Sequence, residues 1–374
     1  MKKMECRENI PLFKVYMNDE VGPLVNSVLY SGWIGQGPKV AEFEKKLGTH
    51  FQIDKVLGLS AGTHGLSLAL RLAGVGPGDE VITTPLTCTA TNMPILMHCA
   101  KIVWADIKPN DLNIDPQSIE SRITDRTKAI IVVHWGGYPC DMKEIYDIAS
   151  EHGIKVIEDG AHAFGSTYRM STIGDCAYSD YSMMSFQAIK HLTTVDGGAL
   201  FIKDIDDYKR AKLLRWYGID RENPRKDMRC EEDIAEWGYK YHMNDICATI
   251  GLANFNGAIE NVGKAIENAT YYNQELLGVP GVKLIQTKTD RLSSYWLYTL
   301  LVEDRTSFAY MMGSKGISVS RVHERNDKHT FVKEYRRELP GLESVIDKMI
   351  SIPVGWWINE EDAKYIVEVI KNGW

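Results

Sequence analysis

The stretch KVLGLSAGTHGLSLALRLAGVGPGDEVITT, residues 55–84, decides the fold class because it holds one complete strand–helix–strand unit. Its ends, KVLGL at 55–59 and EVITT at 80–84, are apolar runs of strand length. Between them, HGLSLALRLAG at 64–74 repeats apolar residues at spacings of three and four, which is typical of a helix that buries one face. The stretch therefore predicts two strands joined by a helix.

The same alternation continues toward the C-terminus. Strand-like runs follow at 101–105, 128–133 and 154–159, and helical patterns lie at 89–99, 115–123 and 141–153. Strands that alternate with helices form parallel sheets, because each helix carries the chain back across a face of the sheet. We predict an α/β fold, in which a mostly parallel central sheet is flanked by helices.

Beyond about residue 204 the alternation gives way to longer helical patterns. A smaller α+β pattern follows, which includes SYWLYTLLVED at 294–304. The change predicts a large domain at 12–248 and a small C-terminal α+β domain at 249–374.

Composition and charge argue against several classes of protein. The chain has 374 residues, 44% hydrophobic and 25% charged, as expected for a globular protein with a sizeable core. Its net charge of -7 gives no general attraction to nucleic acid or to an anionic membrane. The seven cysteines include no Cys-x-x-Cys pair, and no apolar run approaches the length of a membrane span. We expect a cytoplasmic protein with reduced thiols and no metal site.

The first candidate site is the turn SAGT at 60–63, which leads into the first helix. Small residues at a helix N-terminus leave backbone N–H groups accessible to an anion such as a phosphate. The alternative is that Ser60 only caps the helix, which is the commoner role of such a residue. The glycine pattern of a dinucleotide site is absent, which disfavours an NAD-dependent oxidoreductase.

Two charged residues are the other candidates. Asp159 ends a predicted strand, and ligands of open α/β sheets bind at the carboxyl ends of the strands. Lys190 lies in SMMSFQAIKHLTTVDGG at 182–198, between Ser185 and a Gly-Gly turn. The alternatives are that Asp159 caps the turn beginning at Gly160, and that the lysine is an ordinary surface residue.

Together the three sites point to one cofactor, pyridoxal 5'-phosphate (PLP). PLP needs an anion seat for its phosphate, a carboxylate that keeps its ring nitrogen protonated, and an amine that holds its aldehyde. The chain offers these in order as Gly62 with Thr63, Asp159 and Lys190. We therefore predict PLP, with pyridoxamine phosphate as its intermediate form.

The chain resembles the DegT-type sugar-nucleotide aminotransferases, which have the aspartate-aminotransferase-like PLP fold. The resemblance extends from WIGQGPKVAEFEKKL at 33–47 to INEEDAKYIVEVI at 358–370. Its most specific pieces include VIEDGAHAFGS, SFQAIKHLTTVDGG and GYKYHMNDICATIGL. It implies that Lys190 forms a Schiff base with PLP and that Asp159 contacts the pyridine nitrogen. The other positions that it matches to cofactor-binding ones are Gly62, Thr63, Cys88, His162, Ser185 and Lys240.

Three of these positions depart from the family's usual residues. His162 stands near the ring hydroxyl, where relatives often have glutamine, and a surface histidine is its alternative. Cys88 stands where relatives stack an aromatic residue on the cofactor, and a thiol gives less contact. Lys240 replaces an asparagine that reaches the phosphate from the partner subunit, where lysine can act as a point charge. The resemblance implies a homodimer.

The implied reaction moves the amino group of L-glutamate to a nucleotide-linked 4-keto-6-deoxy sugar, giving an amino sugar for a polysaccharide or glycoconjugate. Amination at C3 is the lesser possibility. Arg321 and His329, in SRVHERNDKH at 320–329, are predicted to bind the substrate's pyrophosphate, although each could belong to a solvated charged loop.

Two other functions remain open. A PLP-dependent sugar dehydratase of the same family would carry histidine in place of the Schiff-base lysine, and His191 directly follows Lys190. A non-catalytic relative that binds sugar nucleotides or proteins is the second, because Cys88 and Lys240 are unusual.

Overall fold

The computed structural model describes residues 9–222 and 233–374. The α-helices of these residues are α1 (Val21–Leu29), α2 (Pro38–Phe51), α3 (Gly62–Leu72), α4 (Thr89–Met97), α5 (Pro116–Glu120), α6 (Met142–Glu151), α7 (Ile205–Leu214), α8 (Asp245–Glu275), α9 (Arg305–Ser314), α10 (Pro340–Val345) and α11 (Glu360–Lys371). The strands are β1 (Val56–Leu59), β2 (Glu80–Thr83), β3 (Lys101–Trp104), β4 (Thr127–Val133), β5 (Lys155–Asp159), β6 (Thr167–Tyr168), β7 (Ser171–Thr172), β8 (Tyr181–Ser185), β9 (Gly198–Ile202), β10 (Val282–Leu284), β11 (Arg291–Leu292), β12 (Tyr298–Val302) and β13 (Met349–Ile352).

A seven-stranded sheet in the order β1-β9-β8-β5-β4-β2-β3 forms the centre of the fold. Strands β3, β2, β4, β5 and β8 are parallel to one another, whereas β9 runs antiparallel to both β1 and β8. The predicted strands are present, with ends that differ by one residue. The predicted α/β fold with a mostly parallel sheet is confirmed.

Both faces of this sheet are buried, because alternate residues of each strand enter different cores. Leu57, Leu59 and Ile157 pack with α3, α4 and α7 on one face. Val56 and Val156 pack with α2, α6 and α8 on the other. The near-continuous apolar runs in the sequence reflect this double burial.

A second, three-stranded sheet in the order β10-β12-β13 packs with α9, α11 and the C-terminal half of α8. The predicted domain boundary after residue 248 falls in the first turn of α8. Phe255 of this helix joins a core of the central sheet, and Tyr272 joins the core of the small sheet. The division into two domains stays a prediction. Among the described residues, none of the helices is both long and apolar enough to traverse a lipid bilayer.

The strand directions bring the candidate segments together. Strands β1, β5 and β8 point the same way, so their carboxyl ends lie at one edge of the sheet. Strand β9 begins at that edge, where Gly198 is paired with Leu59 on one side and with Ser185 on the other.

Candidate active site

A cavity of about 570 Å³ lies at this edge of the sheet, a size typical of small-molecule sites. It is lined by residues from β5 and β8, the N-termini of α3 and α4, and the segments that follow β8 and β11. The predicted site residues on its wall are Gly62, Thr63, Cys88, Asp159, His162, Ser185 and Lys190. Residues far apart in the chain thus meet in one cavity.

The N-terminus of α3 forms one end of the cavity. In the described part of the chain, no side chain accepts a hydrogen bond from the first N–H groups of this helix. These N–H groups are therefore available to a ligand. Ser60 does not cap it, because its hydroxyl lies 2.9 Å from His64 Nδ1 and 3.2 Å from the carbonyl oxygen of Tyr241. The capping alternative for Ser60 is therefore excluded, and an accessible anion seat remains.

Two glycines hold this helix end against the sheet. A Cβ on Gly198 would lie 2.6 Å from the backbone nitrogen of Gly62, closer than any real side chain comes to backbone. A Cβ on Gly62 would lie 3.2 Å from Ser185 Oγ. The absence of side chains at both positions places the Ser185 hydroxyl beside the first N–H groups of α3.

Asp159 is buried, with 3% of its surface exposed, at the carboxyl end of β5. One carboxylate oxygen accepts a hydrogen bond from the Thr91 hydroxyl at 2.7 Å, and the other accepts one from the Ala161 N–H at 3.1 Å. Burial raises the pKa of Asp159 despite these hydrogen bonds. The Ala161 contact is the predicted turn interaction, so this residue both shapes the turn and lines the cavity.

Lys190 is not a solvated surface lysine. Its side chain faces the cavity, and its Nζ lies 3.5 Å from the ring centroid of Trp296. Burial lowers the pKa of Lys190 to about 8, although Asp159 and Cys88 oppose the shift. About a tenth of such an amine is neutral at pH 7, against fewer than one in a thousand for a solvated lysine.

His162 is a buried cavity residue rather than a surface histidine. Its ring stacks on Trp296 at a centroid distance of 3.9 Å, and its Nδ1 has no hydrogen-bond partner among the described residues. Burial, followed by the nearby Lys190 charge, holds the pKa of His162 well below its ordinary value. The ring is therefore neutral at physiological pH and has a polar atom available for a ligand.

Three predicted residues do not line this cavity. Lys240 is exposed and pairs through its backbone with Trp216. Arg321 forms an ion pair with Glu324, and the ring of His329 stacks on a neighbouring phenylalanine. Their proposed roles stay predictions.

Several cavity residues were not identified from the sequence. They include Phe13, Thr91, Trp296 and His323. Thr91 follows Cys88 by three residues within one helical turn, but nothing in that spacing indicates that it bonds to Asp159. Trp296 and His323 come from distant segments, so only the fold brings them to Lys190.

This architecture, with a lysine amine and a buried carboxylate in one cavity at the edge of a mostly parallel sheet, defines a PLP-type aminotransferase. The chain belongs to the DegT/DnrJ/EryC1/StrS aminotransferase family, whose sequence profile matches residues 16–371. The predicted family and enzyme class are thereby confirmed.

Solved structures and relatives similar in sequence agree with this assignment. The sugar aminotransferase CalS13 from Micromonospora echinospora is 41% identical, with a TM-score of 0.94 over 98% of this chain and 100% of that chain. The UDP-4-amino-4-deoxy-L-arabinose–oxoglutarate aminotransferase of Shewanella sediminis is 37% identical over 280 residues, 74% of this chain and 71% of the relative.

The predicted cofactor is also confirmed, because aminotransferases of this family use PLP. The putative sugar aminotransferase Spr1654 from Streptococcus pneumoniae has been solved in PLP and PMP forms. The PLP form is 28% identical to this chain, with a TM-score of 0.89 over 97% of this chain and 98% of that chain.

Proposed function

We propose that this aminotransferase moves the amino group of L-glutamate to C4 of a nucleotide-linked 4-keto-6-deoxy sugar. The observation that carries the chemistry is the meeting of the Lys190 amine and the Asp159 carboxylate in one cavity, beside the uncapped end of α3. The Shewanella relative supports amination at C4 of a nucleotide-linked sugar, since its name specifies such an amino sugar and oxoglutarate as the second substrate. Its sugar is a pentose, so the 6-deoxy part of the proposal rests on the family resemblance.

The cavity residues fit PLP at three points. The free N–H groups of Gly62 and Thr63, with the Ser185 hydroxyl beside them, suit its phosphate. Within the described chain the Asp159 carboxylate has no cation in contact, so a protonated ring nitrogen would relieve its burial cost. The unpartnered Nδ1 of His162 could bond the ring hydroxyl.

Bound PLP supplies an electron-withdrawing ring that makes the bond to the α-proton of the amino donor labile. Asp159 would hold the proton on the ring nitrogen, and the positive charge of that ring would keep it electron-withdrawing. Lys190 would hold the cofactor through its Nζ, and its free amine would accept and return the donor's α-proton as general base and acid. Its pKa of about 8 suits both directions near neutral pH. Cys88 lines the cavity at the position where, by the family resemblance, relatives have an aromatic residue.

The dehydratase alternative is less well supported. Such an enzyme would use a histidine at the position of the Schiff-base lysine. Here Lys190 lines the cavity, and His191, the histidine next to it, is not among the lining residues. A non-catalytic role is disfavoured for the same reason, since both residues that the chemistry requires are present and line one cavity.

We also propose a homodimer in which Lys240 acts in the cavity of the partner. Lys240 is exposed and is not among the residues that line the cavity of its own chain. The helix α1 and the loop after it expose large apolar side chains, which suits burial against a second copy. These are Leu24, Leu29, Tyr30, Trp33 and Ile34.

Arg321 and His329 remain our proposed contacts to the substrate's pyrophosphate, and a cytoplasmic location remains a prediction.

The test of the chemistry is borohydride reduction of the PLP-loaded enzyme, followed by peptide mass analysis. We expect the pyridoxyl group on the peptide that contains Lys190 and none after Lys190→Ala. A tag on another lysine, or on none, would refute the assignment.

The test of the substrate is an assay of 2-oxoglutarate release with L-glutamate and a panel of 4-keto and 3-keto sugar nucleotides. Transfer of nitrogen to a 4-keto-6-deoxy substrate supports the proposal. A deoxygenated product without nitrogen would instead establish the dehydratase.

A further inference from the structure

We propose that Trp296 is the positioning residue of Lys190, and that its indole face holds the lysine amine whenever that amine is not bonded to the cofactor. The proposal deepens the role proposed above for Lys190 and rests on it. Trp296 was not among the residues predicted from the sequence.

The contact itself is close and enclosed. Lys190 Nζ lies 3.5 Å from the ring centroid, well inside the distance at which an ammonium group is attracted to the face of an indole. Only 6% of the Trp296 surface is exposed, so the protein shields most of the ring from solvent. Among the common aromatic side chains, the indole ring gives the strongest attraction of this kind.

The ring is fixed relative to the lysine's own backbone. Its Nε1–H donates a hydrogen bond at 2.8 Å to the carbonyl oxygen of Ile189, the residue that precedes Lys190. It also stacks on His162, at 3.9 Å, and on Phe13, at 5.1 Å between centroids. Because these contacts fix the indole ring, its face lies at a defined position relative to the Lys190 side chain.

Among the described residues, no carboxylate forms an ion pair with the Lys190 amine, so the indole ring is its close partner. In the described residues, Lys190 has no acidic oxygen within the 4.0 Å of an ion pair, and the attraction of Asp159 acts from a longer distance. The titratable side chains whose charges act on the amine, or are acted on by it, are Asp159, Cys88, His162, His191 and His323. Burial, followed by the Lys190 charge, lowers the pKa of all three histidines, which leaves them neutral near pH 7.

This arrangement has a chemical consequence. A carboxylate in contact with the ammonium group would raise the lysine pKa and keep the amine protonated. An aromatic face attracts the ammonium group more weakly while still fixing its position. Trp296 can therefore orient the amine for proton transfer without preventing it from losing its proton.

The test measures the Lys190 amine in the apoprotein, so that it does not depend on activity. Trace labelling with acetic anhydride across a pH series, quantified by peptide mass analysis, gives the pH midpoint of Lys190. We expect a midpoint near 8 in the unmodified chain. In Trp296→Leu it should fall by roughly half to one and a half pH units, because the ammonium form loses its aromatic partner. Trp296→Phe, which keeps a weaker face, should shift it less in the same direction.

Trp135→Phe is the matched control. Trp135 is also buried and lies edge-on to His162 at 6.2 Å, but its Nε1–H donates to Thr299. Its replacement should leave the Lys190 midpoint unchanged. A midpoint that is unchanged or raised in both Trp296 variants, or an equal shift in Trp135→Phe, would overturn the proposal. Loss of borohydride trapping at Lys190 with this midpoint shift intact would refute the role proposed for Lys190 and not the contact.

Discussion

Asp159 and Asp141 are both largely buried carboxylates, and their surroundings shift their pKa values in opposite directions. Burial raises the pKa of Asp159, which no cation contacts among the described residues. Around Asp141, the hydrogen bonds and charges of Lys108, Lys288 and Arg291 overcome burial and hold the pKa below its ordinary value. The first arrangement suits a cofactor site, and the second stabilises the fold.

Asp159→Asn should reduce activity by roughly 100-fold or more, because the cofactor ring loses the charge that stabilises its protonated nitrogen. The apoprotein should be as stable as the unmodified chain, or more stable, at pH 7. A raised pKa means that the native state binds more protons than the unfolded state, so this group's contribution to stability falls as pH rises through that range. Thermal unfolding of the apoprotein and steady-state kinetics measure the two effects.

Asp141→Asn provides the contrast. A lowered pKa contributes stability above the ordinary range of Asp and loses it as pH falls through the native-state pKa. Removing this carboxylate leaves Lys288 without its acidic partner, whereas Lys108 and Arg291 keep Asp111 and Asp290. The loss of these charged hydrogen bonds should cost roughly 2 kcal/mol of unfolding free energy at pH 7. The opposite ranking of the two variants in apoprotein stability would contradict the assignment of Asp159 as a functional rather than a structural carboxylate.

The pairing of α3 with β9 shows how elements set the geometry of the anion seat. The two elements approach each other at Gly198 and Gly62, where the separation leaves no room for a side chain. The Gly-Gly turn after Lys190 is visible in the sequence, but its closeness to Gly62 is not, because the two glycines are separated by a large part of the chain. The strand pairing of β9 with β1 creates the contact.

Gly198→Ala should push the N-terminus of α3 away from Ser185 and weaken PLP binding by about tenfold or more. A Cβ there would meet the Gly62 nitrogen at 2.6 Å and its Cα at 2.7 Å, and backbone cannot yield as a flexible side chain can. Overpacking of this kind typically costs about 1–3 kcal/mol of stability. Spectroscopic titration with PLP measures the affinity.

Gly263→Ala, in the middle of α8, is the control, since a Cβ at that position meets no atom within 4 Å. It should bind PLP normally and gain roughly 0.5–1 kcal/mol of stability, because alanine is the better helix former. Equal PLP affinity in both variants would show that the close approach at Gly198 does not position the seat.

At the scale of the whole molecule, the cavity built by one chain holds every predicted cofactor contact except Lys240. That residue matters to the site only if a second copy presents it. The exposed apolar residues of α1 and the following loop are consistent with such an assembly.

Mixing Lys190→Ala with Lys240→Ala should restore activity. Random exchange of subunits makes half of the dimers mixed, and each mixed dimer has one site with both lysines intact, which gives about a quarter of the unmodified activity. Lys190→Ala mixed with Asp159→Asn should restore none, because those residues share one cavity. Co-purification of differently tagged chains verifies exchange, and the absence of restoration despite exchange would contradict the shared site.

The sequence by itself determined the class of fold, the ends of the predicted strands to within one residue, and the identity of the cofactor. Apolar runs buried on both faces of a sheet are local signals, and so is a turn of small residues before a helix. The lysine and the aspartate were found because each stands next to such a signal.

Only the tertiary structure decided what surrounds those residues. The contact of Trp296 with Lys190, the bond from Thr91 to Asp159 and the approach of Gly198 to Gly62 join segments that carry no common pattern. They depend on strand order and on the packing of side chains between elements. The physical reason is that burial and charge act through space, whereas periodicity and turn chemistry act along the chain.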